Sequence, residues 1–309
     1  MHGLNSVIFI EEKNMSLFTI GFLERILSSL LFFISGLLWK KLLVDKLNYH
    51  VIFYRTIASM FFLLMLIIGY YYFGIGQYSI SNILNATILD WIGTIALCFF
   101  SFWGLYFYTT AIQSGRYSFI VLLSGMTALF SFFTAIFIYN ESLTLLKYAS
   151  LICITSGLLF HQRDQLIKFK ISKEILFVLI CSVFWGISFV LYLIPIKKFG
   201  VLNFSFILEA CVFLSVIFLL IIKDKKITPP KFDVKSLWLS ILMGLLVAGG
   251  NVFSHLSITE LPVSINIIIG LLFDIIVVTV GLYLFKERLQ FKDWVLILLT
   301  AIGGFMLMI

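Results

Sequence analysis

Arg55, Glu209 and Asp274 each stand inside a long apolar run of the chain. Glu209 follows Phe206, Ile207 and Leu208 and precedes Ala210, Cys211, Val212 and Phe213. Asp274 lies among Leu271, Leu272, Phe273, Ile275 and Ile276. An Arg, Lys or Asp at the centre of a helix in hydrocarbon costs about 2.5–3.5 kcal/mol on insertion scales, so each such residue marks either a functional site or an ion pair that locks helices together. For Arg55 both readings stand. For the two carboxylates function is favoured, because an acid group held in hydrocarbon can take up and release a proton within a working cycle. A second group has the spacing to bind rather than to react. Asn251 and His255 fall four residues apart, on one face of a helix, just after Gly249-Gly250 and beside Ser254 and Ser257. A third combines Trp103-Gly104 with Tyr106, Tyr108 and Gln113. No HExxH, GxSxG, phosphate-loop or His–Asp pattern occurs among the scattered His2, His50, His161 and His255, so enzymatic activity is not expected.

The elements that carry these residues must live in lipid. The 309 residues are 61% hydrophobic and 12% charged, with 34 phenylalanines and a mean hydropathy of +1.11. Soluble domains are about 45–50% apolar and about 25% charged, and cannot hide this much apolar surface. Secreted disulfide scaffolds and disordered tails are thereby excluded. The net charge of +7 comes from short basic blocks between apolar runs, a pattern of loops facing anionic lipid rather than of a nucleic-acid surface. Cys98, Cys153, Cys181 and Cys211 each lie alone, without CxxC spacing, so neither a disulfide framework nor a metal site is expected, and no cofactor. Glu11, Glu12 and Lys13 precede the continuous apolar pattern, so no secretory leader is read, and Met1 and Met15 both stand as possible initiators.

About 20 apolar residues cross a bilayer core of about 30 Å as a helix. Cutting at the polar blocks predicts ten spans, near 24–44, 49–72, 90–112, 117–139, 144–160, 174–196, 202–222, 236–258, 262–284 and 290–309. They form two sets. Tyr139-Asn140-Glu141-Ser142-Leu143 recurs 146 residues later as Phe285-Lys286-Glu287-Arg288-Leu289, and at the same spacing Trp91 and Gly104 meet Leu237 and Gly250. Leu47-Asn48-Tyr49 likewise corresponds to Leu202-Asn203-Phe204. Each set holds five spans, an odd number, so the second enters the membrane in the opposite sense to the first. The expected fold is an all-α integral membrane protein of ten transmembrane helices in two inverted five-helix repeats. It divides into an N-terminal tail 1–20, a first repeat 21–160, a basic linker 161–173 and a second repeat 174–309. Inverted repeats are a device of secondary transporters, with the site at the repeat interface near mid-membrane.

At Ser35-Gly36, Tyr54-Arg55, Asn140-Glu141, Phe184-Trp185-Gly186 and Lys286-Glu287-Arg288-Leu289, the sequence resembles the drug/metabolite transporter superfamily, specifically its ten-helix EamA-type members. The resemblance runs over about residues 22–309. It departs where Ser35 takes the place of the family's tryptophan in span one, and where Ser124-Gly125 stands in the span-four region that often holds a proline. It implies a cavity lined mainly by spans 1, 3, 4, 6, 8 and 9, with Trp185 as an aromatic wall. Function is accordingly expected to be secondary transport of a small organic metabolite by alternating access. Asn251, His255, Trp103, Tyr106 and Trp185 would contact the solute, and Asp274, Glu209 and Arg55 would serve proton or ion coupling. The alternative is a non-transporting membrane protein with a structural or lipid-handling role, in which the buried charges only hold helices together. The expected surroundings are the lipid bilayer of the cell (plasma or inner) membrane and a small-molecule solute, with no nucleic acid and with a monomer or weak homodimer.

Orientation is read in two ways. Sixteen of the 22 basic residues fall in loops on one side of the ten-span arrangement, and Lys13, Arg25, Lys147, Lys197 and Lys198 on the other. The positive-inside rule puts both termini outside the cytoplasm, whereas the resemblance implies termini inside. Lys40-Lys41 is read as snorkelling to the interface. A terminal reporter that works only in the cytoplasm should stay silent if the charge distribution governs insertion, and strong reporter activity would defeat that reading.

Overall fold

The computed structural model describes residues 2–73, 83–139, 144–167, 172–229, 231–286 and 290–308. The described residues contain helices and no strands, as backbone groups in lipid require when no sheet closes into a barrel. In chain order they are α1 (His2–Leu42), α2 (Asn48–Tyr72), α3 (Ile88–Ser114), α4 (Tyr117–Ser124), α5 (Met126–Tyr139) and α6 (Leu145–Ile167). There follow α7 (Lys173–Leu191), α8 (Leu193–Phe199), α9 (Val201–Asp224), α10 (Val234–Glu260), α11 (Val263–Leu284) and α12 (Phe291–Met308). Eight stretches among the described residues are long and apolar enough to cross a membrane, one of them formed by α4 and α5 together. The protein is a multi-pass membrane protein. Residues read as an N-terminal tail continue α1 back to His2, and the apolar stretch of that helix begins at Leu17. The acidic turns that align the two sets (Asn140, Glu141, Ser142 and Leu143; Glu287, Arg288 and Leu289) lie outside the described residues, as does Met1.

Local chemistry sets the helix ends and breaks. Thr87 caps α3 through a reciprocal box in which its hydroxyl accepts from the Asp90 amide and the Asp90 carboxylate accepts from the Thr87 amide. Asp233 caps α10 by accepting from the Ser236 amide. Pro195 has no N–H to offer the Leu191 carbonyl one turn back, and the sixth predicted span breaks there into α7 and α8. The chain then turns into α9 at Gly200, whose φ of 82° suits glycine. The fourth predicted span breaks at Gly125, where a tighter bond from its amide to the Leu122 carbonyl separates α4 from α5. Lys40, read as snorkelling, instead donates to the Ile112 and Gly115 carbonyls at 3.1 and 2.8 Å and so closes the C-terminal end of α3.

The helices pack across the two halves of the chain more than within them. α1 lies along α10, α7 along α3, α2 against both α9 and α10, and α6 along α12. Close approach is bought by small residues: a Cβ on Gly244 would meet the Arg55 carbonyl oxygen at 2.5 Å and the Ser59 amide nitrogen at 2.9 Å, bringing α10 onto the α2 backbone. Gly104 on α3 receives the Trp185 ring of α7, and Gly250 on α10 receives the Phe32 ring of α1.

Gly244→Leu should therefore force α2 and α10 apart and cost about 1–3 kcal/mol, the usual penalty of overpacking. Gly93→Ala, whose Cβ would enter open space inside α3, should cost nothing and raise stability by up to about 1 kcal/mol. Thermal unfolding of the detergent-purified variants measures both.

Candidate functional site

Between the halves lies a cavity of about 330 Å³, at the small end of the range of ligand pockets. On α1, Arg25, Ser29, Phe32, Gly36 and Trp39 recur every three or four residues and present one stripe to it; on α10, Val247, Asn251, Ser254, His255 and Ile258 do the same. α3 contributes Ser101, Leu105 and Tyr108, the break between α4 and α5 contributes Ser124 and Gly125, and α7 contributes Trp185 and Phe189. Those helices, with α11, correspond to the spans that the resemblance implied. Two more reach in as well: α2 through Arg55 and α9 through Leu208, Glu209 and Val212.

Two charged poles sit in these aromatic walls. At the first, Arg55 Nη1 donates to Glu209 Oε1 at 3.0 Å, with both side chains almost wholly buried, at 2% and 3% exposure. Asn251 Nδ2 donates to the same oxygen at 3.1 Å, and Arg55 Nη2 donates to Thr56 Oγ1 at 3.1 Å. Glu209 Oε2 and Arg55 Nε have no partner among the described residues. Glu209 stands eight residues into α9 and Arg55 seven into α2, about 10–12 Å along each helix, which puts the pair deep within the bundle.

The second pole was not read from the sequence, which assigned Arg25 to the basic residues outside the bundle. Arg25 lies eight residues inside the apolar stretch Leu17–Leu42 and lines the cavity. Asn266, Gly270 and Asp274 form a stripe at four-residue spacing on α11, and Arg25 lies along it. Its Nε donates to the Asn266 carbonyl at 3.0 Å, Gly270 leaves room for the guanidinium against the helix, and Asp274 lies within electrostatic range. Asn266 Nδ2 in turn donates to Ser257 Oγ at 2.6 Å.

The other predicted residues divide. Asn251, His255 and Trp185 line the cavity with Arg55, Glu209 and Asp274. His255 Nδ1 is bonded to Ser205 Oγ at 2.8 Å, and its ring meets Tyr192 edge-on. Trp185 Nε1 donates to the Ser101 carbonyl at 3.2 Å, and the Tyr192 hydroxyl donates to Ser101 Oγ. Trp103 and Tyr106 are not among the lining residues. Trp103 is 37% exposed, and Tyr106 accepts a hydrogen bond from Lys223 at the end of α9. The reason is helical phase: positions 101, 105 and 108 share the cavity face of α3, so Tyr108 takes the place expected of Tyr106.

Residues 172–309 match the family described as EamA-like transporter family. This stretch, somewhat under half of the chain, is similar to EamA-like transporters. It supplies Trp185, Glu209, Asn251, His255 and Asp274 to the cavity, and the preceding half supplies Arg25 and Arg55. No curated protein sequence matches the chain. A solved structure described only as "Crystal structure of protein" shares the fold, with a TM-score of 0.61 at 15% identity over 94% of this chain and 96% of that one.

Removing one member of a buried ion pair strands the other charge, at a cost of about 3–5 kcal/mol, whereas replacing both with apolar groups of similar size is often neutral. Arg55→Met should accordingly lower the unfolding temperature sharply, and Arg55→Met with Glu209→Leu should recover most of the loss. A double variant no more stable than the single one would show that the pair is not the main support at this position.

Proposed function

We propose that the protein is a secondary transporter that carries a small organic solute through the membrane by alternating access, with ten spans arranged as two inverted five-helix repeats. The observation that carries this reading is the cavity shared between the halves, whose lining holds Arg25 within electrostatic range of Asp274 and also includes the rings of Trp39, Trp185 and Phe189. Such walls suit a metabolite-sized solute with an apolar or aromatic body and charge of both signs: Arg25 would receive its anionic group and Asp274 its cationic group.

The packing supports the repeat. Exchanging the halves maps α1 onto α7 and α3 onto α10, and the contact of α1 with α10 then corresponds to that of α7 with α3. Gly104 and Gly250, paired at the 146-residue spacing, each take an aromatic ring from the first helix of the opposite half. Under the same exchange the α2–α9 and α6–α12 contacts map onto themselves. A site enclosed by elements related in this way can be exposed to one side and then the other by rocking one repeat against its mate.

Proton coupling is assigned to Asp274. Its carboxylate has no hydrogen-bond partner among the described residues, whereas Glu209 is engaged by Arg55 and Asn251. Arg25 can neutralise Asp274 when the solute is absent and exchange it for the solute's anionic group when the solute is bound.

A panel of zwitterionic, anionic and cationic metabolites can be tested by the stabilisation each gives the purified protein, since a ligand that binds only the folded state raises the unfolding temperature. The zwitterions should stabilise most, and Arg25→Ala should weaken that effect at least tenfold in concentration. In proteoliposomes loaded with the best binder, Asp274→Asn should abolish the pH dependence of flux. Unchanged rate and pH dependence in both Asp274→Asn and Glu209→Gln would remove the proton role.

A further inference from the structure

Each end of the bundle carries an ion pair between the halves, and the two pairs are built alike. At one end Lys46, in the connection from α1 to α2, meets Asp233 at the start of α10, with Nζ to Oδ1 at 3.1 Å. At the other end Lys198, in the connection from α7 to α9, meets Asp90 at the start of α3, with Nζ to Oδ2 at 3.0 Å. In both pairs a carboxylate fixed at a helix N-terminus faces a lysine from the first connection of the opposite half. α2 separates the two ends: it leaves the Lys46 end at Asn48 and runs 25 residues, about 37 Å, towards the end where α3 begins.

The carboxylates belong to matched caps. Thr87 and Asp90 on α3 stand 146 residues before Asp233 and Ser236 on α10, the spacing that aligns Gly104 with Gly250. In the first cap the carboxylate is the fourth residue of the motif and in the second it is the first, yet both end beside a lysine. The Ser236 hydroxyl and amide, and then Lys46, hold the Asp233 carboxyl below the usual carboxylate range, so it is ionised at neutral pH. Aromatic contacts flank both ends: Trp91 lies 4.7 Å from Phe199, and Lys46 lies over the Phe232 ring, which packs on Tyr54.

We propose that Lys46–Asp233 and Lys198–Asp90 are a matched pair of latches, one for each face of the membrane, and that opening the cavity to a face breaks the latch at that face while the other holds. This rests on the alternating-access reading and adds the contacts that govern it. The side chains are partly exposed, 29% and 55% for the first pair and 41% and 32% for the second, so each pair is weak. Weak contacts suit a switch that must open on every cycle. Loss of one such pair is expected to shift the balance between closed and open forms about 2- to 5-fold.

The test is the accessibility of the cavity from each face, which needs no solute. Ser124→Cys, or Ser254→Cys if the first variant fails to fold, places a thiol on the cavity lining. Its labelling by a membrane-impermeant maleimide is then followed in intact cells and in inverted vesicles, against the parental protein. Lys46→Ala should raise the labelling rate about 2- to 5-fold from the face that holds residues 43–47 and not from the other. Lys198→Ala should do the same from the opposite face, and Lys198→Arg should return the parental rate. The two alanine variants leave the helix caps intact. Rates unchanged at both faces, or both variants opening the same face, would overturn the proposal. If accessibility changes as described but proteoliposomes move no solute, the latches stand and the transport reading falls.

Discussion

The ion pair of Arg55 with Glu209 is the contact on which the arrangement of the halves depends. It joins α2 of the first half to α9 of the second, deep in the bundle, where neither charge can be solvated by bulk water. Neither helix can slide or rotate alone without uncovering a charge in an apolar surrounding. Gly244 packs α10 directly onto the backbone of Arg55, and Asn251 of α10 bonds the Glu209 carboxylate, so α10 is held by both members of the pair. α1 then lies along α10 and carries Arg25 to α11. The position of the second charged pole thus follows, helix by helix, from the first.

The division between what the sequence discloses and what it hides is a matter of distance along the chain. Helix positions were legible because apolar runs and polar blocks are local signals, and the break at Pro195 follows from one residue's missing N–H. Arg55, Glu209, Asn251, His255 and Asp274 were legible because a polar side chain in an apolar run is conspicuous. Arg25 was not, since it stands near the beginning of its run and its partner Asp274 is 249 residues away. The stripe of Asn266, Gly270 and Asp274 was a signal for it that went unread. Aromatic residues misled for a different reason. At 17% of the chain they occupy every face of α3, so composition picks out Trp103 and Tyr106 as readily as Tyr108, and only the rotational setting of the helix distinguishes them.

The cavity's two poles differ in how far their bonding is spent. Glu209 Oε1 has two donors and a full counter-charge, so that pole is largely committed to holding helices together. Asp274 has a counter-charge but no hydrogen-bond donor among the described residues, and Arg25 donates to the Asn266 carbonyl and, at a long 3.5 Å, to Ser254 Oγ. In a low-dielectric surrounding an incompletely bonded pair can exchange partners at less cost than a complete one. The proposed roles of frame for one pole and solute site for the other follow from that difference.

α6 and α12 pack along each other, with Ser150 donating to the Gly303 carbonyl, and among the described residues neither contributes to the cavity lining. Selection on these two helices is therefore confined to mutual fit and compatibility with lipid, both of which many combinations of apolar side chains satisfy. Substitutions should accumulate there faster than on α1 or α10 as lineages diverge. The two closing helices would drift first, and the cavity-facing stripes would keep their residues longest.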